Sequence, residues 1–212
     1  MKGKMQMQKK INTAVATVSS IMFLILFNMS SFAYNCNEIR TDTIRLHIIA
    51  QSDSEKDQAI KYAVRDELLN KYSELFTAIT SKEDAENKLL SELTSIESFV
   101  NTKLKEYKVS YNAEVLLKEE YFDTRKYENG IILPAGKYLA LKIKLGEAEG
   151  KNWWCVLFPS LCLPIAEKTE EAIDSVYSGQ EKDIISSSQK YEIRFKLLEY
   201  IEEIKNLVDN TD

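Results

Sequence analysis

His47 is the only histidine of this 212-residue chain, and Cys155 is one of three cysteines. A thiol beside an imidazole is the start of a nucleophilic pair, because the imidazole takes the thiol proton. That chemistry also wants an acid to orient the imidazole and donors to hold an oxyanion, and no pattern here marks either. His47 reads equally as a strand residue on an open sheet face. Glu147 and Glu149 are paired carboxylates of the kind glycoside hydrolysis uses. They lie two apart in a turn framed by Gly146 and Gly150, where acids are ordinarily solvated. No serine sits in a nucleophile elbow, no glycine-rich loop fits a phosphate and no HExxH motif occurs. Cys155, Cys162 and one distant histidine fall short of the four ligands of a structural zinc site. Neither a metal nor a cofactor is expected.

Residues 146–164 concentrate the rare residue types. They hold both tryptophans, two of three cysteines and two of three prolines. Gly146 and Gly150 bracket the acidic turn, Trp153 to Phe158 reads as a short strand, and Pro159 ends it because it has no amide for a ladder. In an alternating strand Trp153 and Trp154 point to opposite sides. The outward one suits a protein contact or a stacked sugar; the other reading packs both in the core. Cys155 and Cys162 are close enough to pair in an oxidising compartment. Closing so short a loop would stabilise by about 2–3 kcal/mol. The alternative is two buried thiols acting as small hydrophobes, and Cys36 is the odd one.

The elements that would position these residues follow from periodicity. Residues 44–50 alternate as a strand, with Ile44, Leu46 and Ile48 on one face and Arg45, His47 and Ile49 on the other. Ser52 with Glu55 fits a capping box, and a helix then runs to about Thr77 on the stripe Ile60, Val64, Leu68, Tyr72, Leu75. Ser81 with Asp84 starts a second helix on Leu89, Leu93, Ile96, Val100, Leu104. The hairpin so formed needs a sheet to cover. Residues 110–118 and 137–145 alternate apolar and polar, as a sheet does with one face on a core and one in water. The polar stretch 119–136 is a long connection, 168–176 weakly helical and 179–188 a loop. The last helix runs from Tyr191 to Val208 with Ile193, Leu197, Tyr200, Ile201 and Ile204 on its packing side. The expectation is an α+β fold: an antiparallel or mixed sheet of about four strands, with the helical hairpin and the C-terminal helix packed on one face.

Four lysines and no acid precede the apolar run 11–27, and 31–33 is a small-x-small cleavage motif. Residues 1–33 therefore read as a signal peptide, or as an uncleaved membrane anchor. Membrane contact is expected through this segment only. The bulky Asn35 before Cys36 argues against a lipoprotein cysteine. The organisation expected is a 34–43 linker, a 44–164 core domain and a 165–212 extension. Without residues 1–33 the body carries 24 basic and 33 acidic residues, a net of −9. Such a body has no cationic surface for phosphates, so no nucleic-acid partner is expected. From the residues alone it is an exported α+β body.

Residues 44–54 (IRLHIIAQSDS), with Asp57-Gln58 and Val64-Arg65-Asp66, resemble the opening block of the stage II sporulation protein R family. Residues 133–138 (LPAGKY), 146–150 (GEAEG) and 152–159 (NWWCVLFP), with Leu161 and Cys162, resemble its second block. Gln51, Asp123 and Ser160 depart from the family pattern. The resemblance implies a signalling protein made in the forespore and exported into the space beside the mother cell. There it is needed to activate a membrane-embedded aspartic protease that matures pro-sigma E. It implies a ligand rather than an enzyme. The partner surface expected on that reading joins Arg45, His47 and Asp53 with Trp153 or Trp154. The alternatives are an exported cell-wall hydrolase using Cys155 and His47 or Glu147 and Glu149, and a glycan-binding module built on the tryptophans.

Overall fold

The structure, a computed structural model, describes residues 2–127, 130–161 and 169–209. Four strands make one mixed sheet in the order β2 (Ala113–Phe122), β5 (Gly136–Leu145), β1 (Ile44–Ile49), β6 (Asn152–Phe158). β1 pairs parallel with β5 and antiparallel with β6, while β2 pairs antiparallel with β5. A further two-stranded ribbon joins β3 (Arg125–Lys126) to β4 (Ile132–Leu133). The α+β class and the mixed four-stranded sheet are as expected.

One face of the sheet carries the expected helical hairpin. It is built from α2 (Glu55–Lys71), the short α3 (Ser73–Thr77) and α4 (Lys82–Glu106). Val64, Leu68, Leu89, Ile96 and Val100 close over Leu46, Ile48, Leu141 and Ile143 in one buried cluster. Each such side chain contributes roughly 1.5–3 kcal/mol by leaving water. Ser81 caps α4 by accepting from the Asp84 amide. The cap of α2 is Ser54 rather than Ser52: Ser54 Oγ accepts from the Asp57 amide at 3.2 Å. Ser52 Oγ instead donates to the Asp57 carboxylate at 2.5 Å. Edge strand β2 is tied to α4, since Asn101 Oδ1 accepts from the Ala113 amide and Glu97 from the Val115 amide. Those bonds occupy donors that an open edge would offer to another chain.

The other face is covered too, which corrects the expectation of an open sheet. α1 (Lys2–Thr41), α5 (Thr169–Val176), α6 (Gly179–Ser186) and α7 (Ser188–Asp209) gather there with the β3–β4 ribbon. Phe32, Cys36, Ile39, Leu133, Val156, Ile185 and Phe195 form this second cluster. Val156 pairs in register with Arg45, so the cluster lies on the face opposite Leu46. The C-terminal helix therefore does not join the hairpin on one face. Central strand β1 is buried along its whole length as a consequence.

α1 is long and apolar enough to cross a membrane over Lys9–Thr41, and its residues 11–27 are exposed. That is compatible with a signal or membrane segment. Residues 34–41 are its last turns rather than a linker, because Cys36 and Ile39 are fully buried in the second cluster. Phe32, inside the expected cleavage motif, stacks on Tyr191 at 5.4 Å and meets Phe195 edge-on at 5.2 Å. Residues 179–186 form helix α6, not a loop, started by a capping box of Ser178 and Glu181.

α7 has two apolar faces, and the structure uses the one that spacing did not select. Tyr191, Phe195 and Leu198 are buried, whereas Ile193, Leu197, Tyr200, Ile201 and Ile204 are exposed. The aromatic face wins because Tyr191 and Phe195 pack on Phe32 of α1. Phe195→Ala is expected to cost about 3–4 kcal/mol of unfolding free energy, and Ile204→Lys under about 0.5 kcal/mol. Denaturant titration of the two variants checks the assignment; a reversed order would overturn it.

Candidate functional site

The two sequence blocks that carry the resemblance meet in space. Beyond β1, residues 50–53 run beside the turn 146–151. Gly150 N donates to Ala50 O at 2.9 Å, Lys151 N to Asp53 Oδ1 at 2.7 Å and Glu147 N to Gln51 Oε1 at 2.7 Å. Lys61, buried on α2, closes the junction by donating to Lys151 O at 2.9 Å and Gln58 Oε1 at 2.7 Å. Burial draws its ammonium below the ordinary lysine range. Asp57 accepts from Ser52 and from Tyr111, and these bonds, Ser52 first, hold its carboxyl below the usual range. Gly146 has φ of +58°, and an added Cβ would meet Gln51 Oε1 at 1.6 Å. Gly150 lies so close to residue 52 that its Cβ would stand 2.3 Å from the Ser52 carbonyl oxygen. Both glycines serve close approach. Asp53 holds the turn through its carboxylate, while Glu147 and Glu149 stay exposed.

Arg45 and His47 lie beneath the second face rather than on it, at 0% and 5% exposure. Their alternation placed them opposite Leu46, but periodicity does not say whether a face is covered. Arg45 Nε donates to Cys155 O at 3.2 Å and Nη2 to the Tyr127 hydroxyl at 2.7 Å. Its guanidinium carbon lies 4.4 Å from the Phe122 ring centroid and 5.0 Å from that of Tyr138. Nη1 has no hydrogen-bond partner, and no carboxylate pairs with Arg45 among the described residues. A permanent cation out of water costs several kcal/mol, and ring faces return roughly 1–2 kcal/mol.

His47 is held at both ring nitrogens: Nδ1 lies 2.7 Å from Glu120 Oε2 and Nε2 lies 2.8 Å from Asn152 Oδ1. Lys142 donates to the other oxygen of Glu120. The tryptophans part as alternation requires. Trp153 packs against the main core, with the Arg65 guanidinium 5.1 Å from its ring. Trp154 turns to the second face, 5.7 Å from His47 between centroids and stacked under Arg125 at 4.4 Å. Arg45, Phe122, Asp123, Thr124, Arg125 and Trp154 enclose a cavity of about 40 Å³.

The sequence did not single out Glu120, Asn152, Tyr127 or Arg125. The strand expected to end at Lys118 runs on to Phe122, which brings Glu120 onto the sheet. The thiol–imidazole pair is ruled out by register. Leu46 lies opposite Cys155 and His47 opposite Trp154, so Cys155 and His47 leave the sheet on opposite faces. Cys155 is also disulfide-bonded, and Cys36 is free and buried. Burial raises the Cys36 thiol to about 12, far from a reactive thiolate. Cys162 lies outside the described residues.

Glu120 carries a pH dependence. Burial opposes its charge, but the bonds from His47 and Lys142 prevail and hold the carboxyl down to about 2, from an ordinary 4.5. A depressed folded value means stability present above about pH 4.5 and lost as pH falls toward about 2. The loss is on the order of 2–3 kcal/mol. Glu120→Gln is expected to flatten that acid limb in urea titrations between pH 5 and pH 2.5; an unchanged limb would assign it elsewhere.

Taken together, the described residues define an α+β body behind an apolar N-terminal helix, with its polar and aromatic residues converging on one strand edge. A family model described as stage II sporulation protein R matches residues 40–168. The stage II sporulation protein R of Bacillus subtilis (strain 168) is 30% identical over 186 residues, covering 78% of this chain and 83% of that protein. This chain belongs to the stage II sporulation protein R family. No solved structure matches it.

Proposed function

We propose that this chain is an exported sporulation signal that leaves the forespore and activates a membrane-embedded aspartic protease of the mother cell, so that pro-sigma E is processed. The observation that carries the reading is family membership across 78% of the chain, joined to an apolar helix at the N-terminus. The geometry supports a ligand over a thiol hydrolase, because Cys155 and His47 face apart.

The contact edge follows β6, the outer strand of the sheet. Trp154 and the exposed Arg125 stacked on it present themselves there. Arg45 and His47 act from beneath, as positioning residues for Trp154. Asp53 and Trp153 keep the turn and the core in place. The disulfide at Cys155 fastens β6 from within the strand. The ligand binds one state of the protease better than another, since only a difference in affinity shifts an equilibrium.

Reconstitution tests this. The exported chain is expressed beside the protease and its pro-sigma substrate in a host lacking all three. Processed sigma that depends on the chain supports the reading. Equal processing without it, with folded chain confirmed outside the membrane, overturns it.

A further inference from the structure

We propose that the cavity beneath Trp154 is a binding site for one carboxylate group, held by Arg45 from within and Arg125 from the mouth. Arg45 is a guanidinium with no exposed surface, no acidic partner and one nitrogen, Nη1, without a hydrogen bond among the described residues. It lines a cavity of about 40 Å³. A water needs about 10–15 Å³ of such space. The room therefore fits the three heavy atoms of a carboxylate, and it is short for a phosphate. A planar carboxylate takes charge-assisted bonds from guanidinium nitrogens, so it answers the unpaired charge of Arg45.

The walls agree with that choice. Thr124, on the wall, has Oγ accepting from the Ala135 amide at 3.2 Å, which leaves its hydroxyl proton available to donate. Arg125 lies 4.4 Å over Trp154 and adds a second cation at the rim. Asp123, exposed beside them, sets an upper limit on the negative charge the cavity accepts and so favours a monoanion. Phe122 and Trp154 exclude water from the sides, where a charged bond is strongest.

Two sources offer this group: a free small carboxylate, or an acidic side chain or C-terminus of the protein docking at Trp154. The second rests on the contact edge proposed above. The test begins with thermal unfolding of the exported full chain in sodium acetate. Sodium chloride at equal ionic strength controls for salt, and acetamide controls for shape. The expected result is a saturable rise in Tm with acetate only, by preferential binding to the folded state. Arg125→Gln and Thr124→Val are expected to weaken it severalfold, and Arg45→Met to abolish it. Where Arg45→Met does not fold, the first two variants carry the test. No acetate-specific rise in the wild-type chain overturns the site.

The second arm adds acetate to membrane vesicles from the reconstitution host. Processing that falls as the cavity saturates places the carboxylate on the partner. Processing that holds, beside a retained acetate shift in Tm, places it on a free small carboxylate. If the chain never supports processing, the activator reading fails while the acetate titration still decides the site.

Discussion

Gly150→Ala lowers the stability of the chain by about 3 kcal/mol, as expected for overpacking against atoms that cannot turn aside. The added Cβ stands 2.3 Å from the Ser52 carbonyl oxygen and 2.5 Å from its carbonyl carbon. These are backbone atoms, and residues 50–53 are already tied to the turn by the Gly150, Glu147 and Lys151 amides. Relief means parting the two segments and losing those bonds. Space, not backbone conformation, is what requires glycine here. Gly179 is the opposite case: its φ is +51° and nothing lies within 4 Å of an added Cβ. Gly179→Ala therefore carries only left-handed strain, about 1–2 kcal/mol. Urea unfolding of both variants decides the point. A Gly150→Ala change no larger than that of Gly179→Ala would show that the junction yields.

Trp154→Ala has the largest expected effect on function. A tryptophan at the centre of a protein contact typically carries 2 kcal/mol or more of binding, so processing in the reconstituted host falls roughly thirtyfold where the protease is not saturated. Trp154 also packs on Phe122, Tyr138 and Ala140, so part of any loss comes from the fold. Trp154→Phe separates the two, since it keeps an apolar ring against that cluster and gives up contact area at the edge. The expected outcome is a stable Trp154→Phe chain with reduced processing, and a less stable Trp154→Ala chain with still less. Wild-type processing by a folded Trp154→Ala chain would remove β6 as the contact edge. Ile204→Lys, on the exposed side of α7, is the companion variant, and on this assignment it leaves processing unchanged.

Several features were legible without coordinates. The alternation of residues 137–145 gave β5 within one residue of its bounds. The stripes of α2 and α4 placed Val64, Leu68, Leu89, Ile96 and Val100 in one core. Residues 44–54 and 146–159 were marked as the parts that matter, and they form the junction. Elsewhere local signals competed. Ser52 with Glu55 fits a capping box, but Asp57 takes the Ser52 hydroxyl and Ser54 caps α2 instead. Glycine at position 179 suggested a loop, yet it opens a helix whose cap is the residue before it.

Sequence by itself determined which residues share a face: hydrophobic period and the positions of glycine and proline are properties of the local chain. It therefore set the α+β class, the hairpin, the apolar N-terminal segment and the family. Only the tertiary structure decided which faces are covered. Phe122, Tyr127, Tyr138 and Trp154 turn Arg45 and His47 from surface residues into buried ones, and α1 and α7, from opposite ends of the fold's element order, pack on each other in the second cluster. That packing also chose the aromatic side of α7 over its aliphatic side. Burial is a property of pairs of elements far apart in sequence, so no local period can carry it, and the cavity beside Arg45 exists only because β1, β2, β3 and β6 meet.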